Sequence, residues 1–158
     1  MKKRLFIVDD DSSVRDSLKK VLEESGYEVA TACGGAEASQ LDRARFDLMI
    51  LDVDMPIRDG WDVLEELRET HPLVPVVLIT GMYDHLDTTV IPGIRALLRK
   101  PVETPLLLTT VEALLSESPE ERLSRINQTL DRVVESFSQN PNCIERFTGY
   151  GRGPRWRY

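Results

Sequence analysis

Apolar residues fall along this chain in two rhythms. Short unbroken runs alternate with stretches in which apolar positions recur every three or four residues. Arg4-Leu5-Phe6-Ile7-Val8 reads as a buried strand. From Ser13 to Glu24, Val14, Leu18, Val21 and Leu22 share one helical face, and Gly26 ends the element. Tyr27 to Ala32 reads as a second strand, Gly35 to Arg45 as a short Ala-rich helix, and Asp47 to Asp52 as a third strand. Asp59 is placed to cap a helix that turns Trp61, Leu64 and Leu67 inward before Pro72. Val76 to Thr80 is the fourth strand. Tyr83 to Thr89 can form only a short helix, since Pro92-Gly93 interrupts it. Ile94 to Arg99 is the fifth strand, and Thr104 is expected to cap a further helix with Pro105 at its first position.

Unbroken apolar strands suit a parallel sheet covered on both faces. Five strand–helix alternations predict a doubly wound α/β fold. The rhythm changes after residue 118. Ser118-Pro119-Glu120-Glu121 has the form of a capping box at a helix start. Leu123, Ile126, Leu130, Val133 and Phe137 then form a seam at alternating spacings of three and four. It is shorter than the three or so heptads of an independent coiled coil. The tail interleaves Arg146, Arg152, Arg155 and Arg157 with Phe147, Tyr150, Trp156 and Tyr158. The expected division is a domain over 1–118, an accessory helix over 119–138 and a flexible basic and aromatic tail over 139–158.

Composition narrows the function. With 158 residues, 41% hydrophobic and 30% charged, the chain suits one globular domain with a modest extension. A net charge of −7 argues against nucleic acid as the main partner. The apolar run behind Met1-Lys2-Lys3-Arg4 stops at Asp9, too soon for a secretory leader, and nothing reaches the length of a membrane span. Cys33 and Cys143 stand alone. These features predict a cytoplasmic protein.

The chemistry collects at strand ends. Asp9 and Asp10 end the first strand, Asp52 ends the third, and Asp54 follows it. Carboxylates gathered without cations repel one another. A hard divalent ion with few protein ligands, Mg²⁺, resolves the repulsion. Thr80 at the end of strand four offers a hydroxyl, and Lys100 after strand five offers a point charge suited to phosphate. Singly, each is weak: Asp after a strand is often a helix cap, as Asp11 could be, and Lys-Pro is often a surface turn. In this order on successive strands they predict a site for a phosphoryl group and its metal.

These segments resemble the motifs of two-component response-regulator receivers, the family that includes the chemotaxis regulators. They are Val8-Asp9-Asp10-Asp11, Leu51-Asp52-Val53-Asp54-Met55-Pro56 with Asp59-Gly60, Ile79-Thr80-Gly81 and Arg99-Lys100-Pro101. The resemblance spans about residues 4 to 118. It implies the flavodoxin-like strand order 2-1-3-4-5, with the site at the carboxyl ends of the strands. It implies Asp52 as phosphoacceptor, and Asp10, Asp52 and the Asp54 backbone carbonyl as Mg²⁺ ligands, with Asp9 acting through water. Thr80 and Lys100 would contact phosphoryl oxygens. A sensor histidine kinase or phosphotransfer protein would be the donor, and the output a switched protein–protein interaction. Only one helix and a tail follow the receiver pattern, which points to a stand-alone regulator without a DNA-binding output domain.

Two features depart from the family pattern. Leu97 stands where many receivers carry a switching aromatic residue, and Pro92 interrupts the helix before strand five. The seam from Leu123 suits either a homodimer or packing back on its own sheet. Two other readings compete. Asp52-x-Asp54 resembles the nucleophile pair of haloacid-dehalogenase-like phosphatases, although there the pair lies on the first strand. A pseudo-receiver acting as a scaffold would keep the site unused.

Overall fold

The computed structural model describes residues 1–38, 46–55, 60–81 and 93–128, without the side chain of Trp61. In order these are β1 (Arg4–Val8), α1 (Ser12–Glu24), β2 (Glu28–Ala32), α2 (Gly35–Ala38), β3 (Leu48–Asp52), α3 (Gly60–Thr70), β4 (Val76–Thr80), β5 (Ile94–Arg99) and α4 (Thr104–Ser116). A further helix, α5, begins at 119 and is described to 128. The strands form one parallel sheet in the order β2-β1-β3-β4-β5, as expected. The expected cap at Asp59, the expected helix over 83–89 with Pro92, and residues 39–45 of the second helix lie outside the described residues.

Alternation along the strands divides the core between two faces. Phe6, Val8, Met49, Leu51 and Leu78 face Val63, Leu64 and Leu67 of α3 and Ala38 of α2. Leu5, Ile7, Leu48, Ile50, Val77 and Ile79 face Leu18 and Leu22 of α1 and Leu107, Val111 and Leu114 of α4. With helices on both faces, β1, β3 and β4 can be apolar at nearly every position.

The helix ends follow local chemistry. Asp11 caps α1: its side chain accepts from the backbone N–H groups of Ser13 and Val14 at 2.8 and 3.2 Å. Gly26, at φ 93°, supplies the left-handed turn into β2. α4 begins one residue earlier than expected. Glu103 holds the cap position without a side-chain hydrogen bond, and Thr104 is already helical. Pro105 then sits within the first turn, where its missing N–H has no intrahelical acceptor to lose.

The capping box at α5 forms in full. Ser118 N–H donates to Glu121 Oε2 at 2.8 Å, and Glu121 N–H donates to Ser118 Oγ at 3.2 Å. The helix then folds back on the sheet end opposite the clustered acids. Glu117 takes both oxygens to Arg95 Nη2 of β5, at 2.8 and 3.0 Å, and meets Arg125 at 3.1 Å. Arg122 and Ile126 line a recess with Pro72, Val74 and Gly93. The start of the seam is thus divided: Ile126 is half-buried and Leu123 exposed. Leu130, Val133, Phe137 and the tail lie outside the described residues.

Asp47 ties the entrance of β3 to β1. Its oxygens accept from Lys3 Nζ at 2.8 Å and from Arg4 N–H at 2.9 Å. Burial alone would raise its pKa, but these bonds and the charges of Lys3 and Arg122 hold the carboxyl below its ordinary range. A depressed carboxyl stabilises the fold above its unfolded pKa and loses that contribution as pH falls through the folded value. Asp47→Asn is therefore expected to flatten the acid limb of a plot of urea midpoint against pH. An acid limb as steep as that of the wild type would contradict this.

Candidate phosphoryl-acceptor site

The carboxyl ends of β1, β3, β4 and β5 bring the expected residues together. Asp52 ends β3 at 2% exposure, and Asp9 follows β1 at 1%. Burial at this level is unusual for carboxylates and requires partners. Asp52 Oδ1 accepts the Asp54 N–H at 2.9 Å, and Oδ2 accepts Lys100 Nζ at 2.7 Å. Asp9 Oδ1 accepts the Asp11 N–H at 2.8 Å. Lys100 Nζ also lies 3.1 Å from Asp9 Oδ2, an ion pair without hydrogen-bond alignment. Asp9 Oδ2 is therefore a buried acceptor with no hydrogen bond.

The electrostatics follow from this crowding. Burial pushes the Asp9 carboxyl upward, the Asp11 N–H pulls it down, the Asp52 charge pushes it up again, and Lys100 offsets only part. Its net position is above the ordinary carboxylate range. Burial works against the Lys100 ammonium, but Asp52 and Asp9 outweigh it and raise its pKa. One ammonium thus serves two buried carboxylates.

Asp9, Asp10 and Asp52 each offer an oxygen, and the three oxygens lie within 4.8 Å of one another. Hard oxygen donors and negative charge in excess of the one Lys100 ammonium fit a Mg²⁺ ion. The Asp54 carboxylate does not join them. It turns toward β4, where it accepts from Thr80 Oγ1 at 3.1 Å to each oxygen and from the Gly81 N–H. Thr80 is fully buried. Its carbonyl accepts the Lys100 N–H at 2.9 Å, which joins the ends of β4 and β5. Leu97 lies opposite Leu78, half-buried against the core on the α3 side.

The chain matches the response regulator receiver domain family over residues 5–112. It belongs to that family. This receiver is 34% identical over 160 residues to the response regulator MprA of Mycobacterium leprae (strain TN), covering 97% of this chain and 65% of that protein. It is 32% identical over 146 residues to the transcriptional regulatory protein CpxR of Escherichia coli (strain K12), covering 90% and 62%. The receiver therefore spans just under two thirds of the length of these relatives. Among solved structures, the CheY-like receiver domain protein of Methanospirillum hungatei JF-1 aligns with a TM-score of 0.67 at 31% identity, covering 78% of this chain and 98% of that one. The response regulator TrrA of Thermotoga maritima, solved in complex with Mg²⁺–BeF, aligns at 0.63 and 32%, covering 71% and 98%. Membership in a signalling family removes the phosphatase reading. Among the described residues, no helix is long and apolar enough to cross a membrane.

Two site contributions escaped the sequence pattern. One is the turn of the Asp54 side chain toward Thr80, which residue spacing does not encode. The other is the reason for Gly60. A Cβ there would lie 2.2 Å from the Asp52 carbonyl oxygen and 2.9 Å from Val53 Cα. Both are backbone atoms, so neither can swing away. Gly60→Ala is expected to cost about 1–3 kcal/mol through overpacking, seen as a lower urea midpoint. An unchanged midpoint would show that the end of β3 yields freely.

Proposed function

We propose that this receiver accepts a phosphoryl group on Asp52 from a sensor histidine kinase or phosphotransfer protein in the cytoplasm, and that the product switches a protein–protein contact. The observation that carries the reading is the pairing of two buried carboxylates, Asp9 and Asp52, with one lysine at the carboxyl edge of the sheet. An Asp52 carboxylate oxygen attacks phosphorus, and the bond from phosphorus to the donor nitrogen breaks. The leaving imidazole retains that electron pair. The Asp54 N–H holds Asp52 Oδ1 in place. Lys100, within reach of Asp52 Oδ2, meets negative charge on the phosphoryl oxygens.

Asp10, Asp52 and the backbone carbonyl of Asp54 would hold Mg²⁺, with Asp9 completing the acidic pocket through water. When bound, the ion supplies positive charge against the phosphoryl oxygens. Slow loss of the acyl phosphate to water would be self-catalysed by the same pocket. The Thr80 hydroxyl, at the end of β4, is the donor positioned to report phosphorylation to the β4–β5 edge. A homodimer through α5 would use its outer face, where Leu123 is 49% exposed.

The test is a ¹⁵N NMR spectrum of the receiver with Mg²⁺ and beryllofluoride, a mimic of the acyl phosphate. Amide shifts are expected at Asp9, Asp54 and Lys100, spreading along β4 and β5. Shifts confined to the acidic pocket would sink the switching role, and no shifts with beryllofluoride would sink phosphoryl acceptance.

A further inference from the structure

We propose that Asp54 is a built-in competitor for the phosphoryl group: its carboxylate occupies the Thr80 hydroxyl and the Gly81 N–H, the donors at the end of β4 that an anion on Asp52 would use. The proposal rests on the reading of Asp52 as phosphoacceptor and adds a specificity-determining residue to it.

The geometry carries the argument. Thr80 is fully buried, and its hydroxyl sits 3.1 Å from both Asp54 oxygens. The backbone N–H of the next residue, Gly81, points to Asp54 Oδ2. Two adjacent donors therefore converge on one carboxylate, an arrangement suited to an anion. The same Asp54 uses its backbone N–H to hold Asp52 Oδ1 at 2.9 Å. One residue thus grips the acceptor with its main chain and the β4 donors with its side chain.

An anion added to Asp52 meets two consequences. Thr80 and Gly81 must release Asp54 before they can donate to it. The displaced carboxylate then stands beside the new negative charge, without its former donors. Both raise the free energy of the anion-bound state relative to the resting one. In population terms, the binding-competent arrangement is a minor one, and apparent affinity falls by its fraction. Asp54 thereby holds Thr80 in the resting position until the added anion is bound strongly enough to displace it.

Beryllofluoride binding, measured by calorimetry at saturating Mg²⁺, tests this on wild type, Asp54→Ala and Asp54→Asn. Asp54→Ala is expected to bind about tenfold more tightly or better. Asp54→Asn, of similar shape but uncharged, should fall between the two. The Gly81 amide resonance of the unliganded protein should move upfield in Asp54→Ala, as the carboxylate acceptor is lost. Equal or weaker binding by both variants would overturn the competitor role and leave Asp52 as acceptor untouched. Absence of binding in all three proteins would overturn both. If Asp54→Ala does not fold, the Asp54→Asn comparison decides alone: tighter binding supports the role, and equal or weaker binding overturns it.

Discussion

Asp52→Asn is expected to abolish covalent phosphorylation completely, with the fold retained. Asp9 is as buried, but its Oδ2 accepts no hydrogen bond, so its carboxylate is less firmly oriented for attack. Asp10 is exposed, and the Asp54 carboxylate is turned away toward Thr80 and Gly81. Of the four, Asp52 alone combines burial with a hydrogen bond on each oxygen, from a backbone N–H on one and from an ammonium on the other. A carboxamide keeps the size but offers one acceptor oxygen in place of two, so it keeps one of the two hydrogen bonds, and circular dichroism should be unchanged. Incorporation of label from acetyl phosphate into the variant at wild-type levels would mean that another carboxylate is the acceptor.

Lys100→Met is expected to give the second largest effect, with opposite signs in two measurements. The ammonium lies 2.7 Å from Asp52 and 3.1 Å from Asp9, and both carboxylates are almost wholly buried. Removing it leaves two like charges in a poorly solvated site. Without divalent cation the loss should be on the order of 3 kcal/mol, at the low end for a broken buried pair, because the Lys100 side chain is 24% exposed and keeps some solvation. Mg²⁺ then meets a site with no competing cation, and its affinity should rise about tenfold, a difference of about 1.4 kcal/mol. Phosphorylation should nevertheless fall, since the charge that meets the phosphoryl oxygens has gone. Thermal unfolding with and without Mg²⁺ separates the two effects: the Mg²⁺-induced rise in Tm should be larger in the variant. An equal rise in both proteins would show that Lys100 does not compete for the acidic pocket.

Much of this was legible in the residues. The strands at Arg4–Val8, Leu48–Asp52 and Val76–Thr80 are unbroken apolar runs with an ionisable or hydroxyl residue at or just after the end, and a parallel sheet buried on both faces accounts for that pattern. Because parallel strands start from one edge and finish at the other, residues that end different strands line a single edge, and those on neighbouring strands meet. Asp9, Asp52, Thr80 and Lys100 were therefore recoverable from order alone. The strand order itself came through family resemblance, since alternation does not fix which strands are neighbours.

Side-chain direction was less legible. Asp54 reads as one more acid of the cluster, yet its carboxylate finds better company in two donors on β4 than beside Asp9 and Asp52. The gain of hydrogen bonds and the escape from like charge both favour that turn. Gly60 enters the sequence pattern only as part of the Asp59-Gly60 motif, and the deciding fact is the Asp52 carbonyl lying where its Cβ would be. The α5 seam left two options open. The residues described in it settle Ile126 against the receiver through the Glu117–Arg95 pair, which the spacing of apolar residues cannot register.

The central claim is that Asp52 becomes an aspartyl phosphate. The most direct measurement is mass spectrometry of the whole chain and its peptides after incubation with Mg²⁺ and acetyl phosphate. The expected result is a single phosphoryl adduct, stable in acid and labile in base, on the peptide containing Asp52 and missing from Asp52→Asn. An adduct that persists in Asp52→Asn, or a wild-type protein that takes none from acetyl phosphate or from a phosphorylated histidine kinase, would contradict it.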